Sequence, residues 1–222
     1  MLHLTTMTTK HAMDLYQTIR LMYPEAQCEL EYQKEHELLI AVMLSAQTTD
    51  EAVNRVTPDL FETYPTIEDF ANAKQTDLES VLRHLGLFRN KARNIIRTSK
   101  MIIKKFDKRI PDSQKELECL PGVGRKTANV FLSEWHHKPR IAVDTHVSRV
   151  SKRLGLAGKG DSPKQIEAKL KDVYPEDVWI DLHHKFIFFG RYFCTSRKPK
   201  CQACPLLDRC KYPVLNEKSA QN

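Results

Sequence analysis

Four cysteines crowd the end of this chain: Cys194, Cys201, Cys204 and Cys210, all within 17 residues. Cys28 and Cys119 stand alone, far from the cluster and from each other. In a reducing compartment such a cluster reads as a metal site before it reads as a disulfide framework. Four thiolates can hold zinc. The spacing, x6 then x2 then x5, is not the paired CxxC…CxxC of a zinc ribbon. A single compact loop of ligands suits wrapping one [4Fe–4S] cubane, and on spacing alone both metals stay open. The loop between the first two cysteines carries Arg197, Lys198 and Lys200, either a phosphate contact or a solvated basic surface.

A second stretch with chemical potential is Leu120-Pro121-Gly122-Val123-Gly124-Arg125-Lys126-Thr127. Helical sequence from Ser113 to Cys119 runs into Pro-Gly-Val-Gly, and a new helix starts at once. The two glycines allow a tight turn and leave backbone amides uncovered. Amides at such a turn, joined to a helix N-terminus, form an anion site. Gly122, Val123, Gly124 and Arg125 thus form a helix–hairpin–helix whose natural ligand is a DNA backbone phosphate, without base information. A nucleotide-binding P-loop is a poor fit, since it needs glycines where Arg125 and Leu120 stand. An ordinary tight turn between helices remains the plain alternative.

Lys126 is out of place for a helix start. A cation in the first turn opposes the macrodipole, at about 0.3–1 kcal/mol, and Arg125 adds like charge. Both effects favour the neutral amine that a nucleophilic lysine needs, although a phosphate contact would also explain it. Asp144, in Ile141-Ala142-Val143-Asp144-Thr145-His146, sits where an N-cap belongs. Many aspartates there only cap. A carboxylate held by amides also stays ionised and can stabilise an oxocarbenium ion or move a proton. Lysine and fixed carboxylate together suit chemistry at a sugar C1′.

The elements that must position these groups read as almost entirely helical. Apolar residues recur at helical spacing in Met13 to Met22, His36 to Ala46 and Ile95 to Phe106. Capping boxes are expected at Thr76, Ser113 and Ser162, the last followed by Pro163 at the first helical position. The one extended candidate is Pro139 to Val143. Connections are short, which predicts a compact body, and the charged tail after Pro213 is expected to fray.

Composition sets the outer bounds. The chain has 222 residues, 41% hydrophobic and 28% charged, an ordinary globular balance. A net charge of +7 and a pI near 9.1 suit a polyanionic partner, or simply a basic soluble protein. No apolar run approaches the roughly 20 residues that span a bilayer. Met1 to Thr6 lacks a secretory pattern, so the expected home is the cytoplasm or its nucleoid.

Taken together the hairpin, the Val-Asp-Thr-His stretch and the four-cysteine spacing resemble, in order, the endonuclease III family of helix–hairpin–helix glycosylases. The likeness runs from about residue 10 to 212. It implies an all-α fold of two helical lobes flanking a DNA cleft. One lobe is a six-helix bundle over residues 28–137; the other joins residues 1–27 to 138–222 and holds one [4Fe–4S] cluster on Cys194, Cys201, Cys204 and Cys210. It further implies that Lys126 is the nucleophile and Asp144 the catalytic aspartate. Gln47, in Leu44-Ser45-Ala46-Gln47-Thr48-Thr49-Asp50, matches the glutamine that plugs the gap left by an extruded base. Leu85 and Leu87 match the apolar wedge, or are helix-end core; Phe88 stands where the family often has tyrosine.

The implied activity is base-excision repair on double-stranded DNA, by a monomer with no membrane partner. A damaged base, an oxidised pyrimidine by family expectation, is flipped out and removed. The abasic site is then cleaved by β-elimination through a lysine Schiff base. Adenine-mismatch glycosylases share the cluster but typically lack the lysine and carry an added C-terminal domain, so Lys126 and the short tail argue against them. A non-catalytic metal-containing DNA-binding module would reduce Lys126 to a phosphate contact and Asp144 to a cap. A small electron-transfer protein would leave the hairpin unexplained.

Overall fold

The computed structural model describes residues 8–212; the residues before Thr8 and the tail from Pro213, expected to fray, lie outside them. Among the described residues every regular element is helical, and Pro139 to Val143 forms no strand. No helix among them is long and apolar enough to cross a membrane.

The chain divides into two compact units, with the crossings after Gln27 and after Lys138. The cysteine unit contains α1 (Thr9–Met22), α10 (Thr145–Arg153), α11 (Pro163–Val173) and α12 (Trp179–Phe188). The hairpin unit contains α2 (Glu35–Leu44), α3 (Asp50–Asn54), α4 (Thr57–Thr63) and α5 (Ile67–Asn72), then α6 (Gln75–Leu82), α7 (Phe88–Phe106), α8 (Gln114–Leu117) and α9 (Arg125–Glu134). Two of those eight, α3 and α8, have only five and four residues, which leaves six longer helices.

The hairpin unit is organised around α2. Every residue from Leu38 to Leu44 is buried, so this helix has no wet face, and α7 and α9 pack on it. Polar character survives only at its start, where Glu37 accepts from the amides of Gln33 (2.7 Å) and Lys34 (3.1 Å). That satisfies donors a helix N-terminus leaves bare. Around α2 sit Phe70, Leu78, Leu82, Ile95, Ile102, Phe131 and Leu132, each worth roughly 1.5–3 kcal/mol of burial.

Longest is α7, which starts seven residues before the run Ile95 to Phe106 that announces it. Its early turns are masked in the sequence by cations. It holds seven lysines and arginines and no acid, whereas the whole chain has 35 basic and 28 acidic side chains. The net charge of α7 therefore equals that of the entire protein.

In the cysteine unit, Tyr16 and Ile19 of α1 pack with Val147, Val150, Leu182 and Phe186. A link between Tyr16 Oη and Asp181 (2.6 Å) and a buried Lys185 donating to the carbonyls of Pro24 (2.8 Å) and Ala26 (3.3 Å) fix α1 on α12. Ser162 caps α11 with Gln165 reciprocating, and Ser113 caps α8. Thr76 does not cap. The helix α6 already begins at Gln75, with Lys74 at the cap, so Thr76 is inside the first turn.

Candidate active site and cysteine pocket

The short α8 ends at Leu117, and Val123 N donates to Leu120 O (3.0 Å) to close the hairpin turn. Gly122 sits at φ +81°, a region L side chains rarely adopt, and an added Cβ would meet Asn94 of α7 at 2.8 Å. Thr98, one turn further along α7, donates to Pro121 O (2.7 Å). The hairpin is thus held by its neighbour helix as well as by its own turn.

Two expectations for the hairpin change. Val123 is 5% exposed and its amide is already bonded, so it serves the core rather than an incoming anion. Gly124 has an extended backbone, φ −95°, and nothing lies within 4 Å of where a Cβ would be. It is not needed for the turn; it leaves open space in front of α9. That helix has no side-chain cap, so its first amides are bare of side-chain cover.

Lys126 lies exposed in the first turn of α9, with no hydrogen bond or ion pair among the described residues. Arg125 beside it has Glu118 at 3.9 Å. Asp144 belongs to the cysteine unit, where it caps α10 by accepting from Val147 N at 2.8 Å through Oδ1. Its Oδ2 has no hydrogen-bond partner among the described residues.

Gln47 and Leu87 share an unusual backbone. Both have positive φ, 54° and 60°, and both side chains face solvent. Leu85 differs. It is 3% exposed and packs in the core of the hairpin unit, which removes it from the expected wedge and leaves Leu87, 52% exposed, as the available side chain.

Cys194, Cys201, Cys204 and Cys210 line one pocket, with apolar walls from Leu154, Phe189, Phe193 and Leu207. None of the four is in a disulfide, and each is half-buried. Burial pushes the Cys204 and Cys210 thiols up, and the neighbouring cysteine sulfurs push the same way. A pocket lined by four mutually repelling sulfurs, with Arg153 and Lys200 beside them, fits a sulfur-loving metal group. By contrast Cys119 is exposed, and burial raises Cys28 to about 12.

The sequence reading did not single out the two arginines that shape this pocket. Buried Arg153 donates to Cys194 Sγ (3.2 Å), Thr195 O (2.7 Å) and Ser196 O (3.2 Å). Its own carbonyl accepts from the amides of Lys211 (2.8 Å) and Tyr212 (3.1 Å), so one residue holds both ends of the loop. Arg149, one turn earlier, donates to Gly190 O (2.6 Å) and Cys194 O (3.1 Å). Nothing local marks either arginine, because their partners lie about forty positions away. Arg197, Lys198 and Lys200 are all exposed on the loop, with no acidic partner among the described residues.

Comparison with known proteins gives this geometry its family. The model of the HhH-GPD superfamily of base excision DNA repair proteins matches residues 40–176, and the iron–sulfur binding domain of endonuclease III matches 194–210. Endonuclease III of Bacillus subtilis is 48% identical over 190 residues, 86% of this chain and 87% of its own. That of Rickettsia felis is 46% identical, covering 87% and 92%. A solved endonuclease III trapped as a covalent intermediate with DNA superposes with a TM-score of 0.91 at 45% identity, over 98% of this chain and 100% of that one. A thermostable thymine-DNA glycosylase, 22% identical, shares the fold with a TM-score of 0.80 over 91% and 96%. These matches decide for an iron–sulfur cluster over zinc. The chain belongs to the endonuclease III family, iron–sulfur DNA glycosylases and abasic-site lyases of base-excision repair.

Proposed function

We propose that this enzyme removes damaged bases, oxidised pyrimidines foremost, from double-stranded DNA, with Lys126 as nucleophile and Asp144 as its charged partner. It then cuts the strand at the abasic site. The observation that carries the assignment is the freedom of Lys126: an exposed amine without a partner among the described residues, behind the open backbone of Gly124.

In this reading the amides around Gly122 and Gly124 take a backbone phosphate, and Arg125, Arg197, Lys198 and Lys200 add further phosphate contacts. The damaged nucleotide leaves the stack, which costs least where damage has weakened pairing. Gln47 fills the vacated space and Leu87 enters beside the opposite base. The Lys126 amine attacks C1′ as the C1′–N bond breaks, and the departing base takes up a proton. One amine proton then passes to the ring oxygen as the C1′–O4′ bond breaks, which opens the ring to the protonated Schiff base. Loss of a C2′ proton expels the 3′ phosphate, and water releases the unsaturated aldehyde from Lys126. The free Oδ2 of Asp144 offsets the positive charge developing at C1′ and accepts a proton, while Oδ1 keeps its bond to Val147. A bound cluster cross-links the Cys194–Cys210 loop and presents its cations, and none of the chemical steps runs through it. The enzyme works as a monomer at the nucleoid, wherever damaged DNA is reached from the cytoplasm.

Borohydride present during turnover should join DNA covalently to Lys126, since only an imine is reduced to a stable bond. Lys126→Gln should abolish trapping and strand cleavage yet keep affinity for abasic duplex. Asp144→Asn should fold normally, because asparagine caps as well as aspartate, and lose about a hundredfold or more in rate. Trapping by Lys126→Gln at the wild-type rate would refute the assignment. Full activity of Asp144→Asn would leave Asp144 as a cap alone.

A further inference from the structure

Lys91 is a buried charge that the mechanism above does not use. It lies in the first turns of α7 at 6% exposure, beside Ala92 and Ile95, which are fully buried. Its ammonium has one hydrogen-bond partner among the described residues, Thr48 Oγ1 at 2.6 Å, and no ion pair. Burial draws its pKa down. An ammonium in such a place is costly, and an apolar side chain of the same length would fill the space without that penalty. Something other than packing keeps a lysine there.

Its two attachments show what that is. Thr48 directly follows Gln47, and its hydroxyl passes the contact on to Ala46 O at 3.4 Å, so the side-chain bond grips the Gln47 turn. The backbone of Lys91 donates to Leu87 O at 3.0 Å and closes the first turn of α7 on the residue that caps it. Gln47 and Leu87 both hold left-handed backbone, which non-glycine residues keep only where the surroundings enforce it. The turns also approach directly: a Cβ on Gly86 would lie 3.8 Å from Gln47 O. One residue, therefore, bonds to both of these strained turns, and its side-chain bond spans 43 positions along the chain.

We propose that Lys91 is a positioning residue that locks the Gln47 turn to the Leu87 turn, so that the two side chains enter an opened duplex as one preset pair. The inference rests on the reading of Gln47 and Leu87 given under the proposed function. Coupling of this kind matters only when a base pair must be opened and held. A single strand presents its abasic sugar with nothing to displace and no gap to fill.

The experiment compares lyase rates on one abasic site placed in a duplex and in a single-stranded oligonucleotide. Lys91→Met, which keeps length and removes the charge, should lower the duplex rate roughly 10–100-fold, as misplacement of a positioning group does, and leave the single-strand rate near wild type. Thr48→Val, at a half-buried site, should reproduce the same split if Lys91→Met folds poorly. The double variant should be no worse than the worse single one, because both remove one link. Equal loss on both substrates, or no loss on duplex with either variant, overturns the proposal. Gln47→Ala and Leu87→Ala separate the two levels. If both keep the duplex rate, the reading of the turns falls and the coupling with it; if they lose it while Lys91→Met and Thr48→Val do not, the coupling alone falls.

Discussion

The hairpin and the cysteine loop would both meet phosphate in this enzyme, and they are held in opposite ways. The hairpin needs nothing from outside. Leu120 and Val123 are buried, Gly122 makes the turn, and Asn94 and Thr98 of a long helix brace it. Among the described residues the stretch after Cys194 contains only short 3-10 turns, and two arginines tie its backbone to α10. A region organised by its own core is finished when the chain folds. One organised by hydrogen bonds around four sulfurs is finished when its metal group arrives.

Removing a cysteine should therefore separate the regions most sharply. Cys204→Ser is expected to give colourless protein whose cysteine unit loses more than about 4 kcal/mol of protection, as loss of a metal site does. Amides of α2 and α9 should exchange as slowly as before. Hydrogen exchange by segment measures this, and equal loosening of both units would show that they are not independently stabilised.

Within the hairpin, the two glycines test whether turn geometry and ligand access are separate. Gly122→Ala should cost about 1–3 kcal/mol, because its φ is left-handed and Asn94 must move. Gly124→Ala should leave stability within about 0.5 kcal/mol while weakening binding to abasic duplex, since a methyl group would fill the space in front of α9. Denaturation midpoints and binding isotherms read the pair. Reversal of the two effects would mean that Gly124, not Gly122, makes the turn.

The smallest effect concerns acid. The Asp161 carboxyl in the cysteine unit is held below its usual value by the Lys169 ammonium first and the Gly158 amide second. Its folded pKa is depressed, so its stabilisation is present above the ordinary value of 3.8 and is lost as pH falls through the folded value. Asp161→Asn should therefore melt slightly earlier than wild type near neutrality, and the gap should close in strong acid. If the gap persists there, acid weakening of this unit comes from elsewhere, and the cysteine pocket becomes the place to look.

Which features were legible in the sequence follows from how local they are. Four cysteines in 17 residues, the Pro-Gly-Val-Gly turn and the Asp144 cap are each complete within a few neighbours, and the structure has them where the sequence puts them. Gly122 and Gly124 looked equivalent because residue type does not reveal the sign of φ. Leu85 and Leu87 looked alike for the same reason: a left-handed residue at 87 turns one side chain outward while Leu85 stays in the core. Arg149, Arg153 and Lys91 were invisible. Their partners are more than forty positions away, and a basic residue on an amphipathic helix resembles any other until the fold brings its acceptor close.

The charge on α7 has a consequence for how the enzyme approaches its substrate. A surplus spread evenly over a surface is drawn toward a polyanion whichever side it presents. Here the surplus equals that of one rod of 19 residues, about 28 Å long, while the remaining charges balance. Seven cations on one helix, with no acid among them, make a local focus of positive potential, which a DNA duplex draws harder than it would an evenly charged surface. Within a Debye length of roughly 8–10 Å that unequal pull favours encounters led by α7. Added salt shortens that range, and collisions then become more numerous in the wrong poses than in the right one.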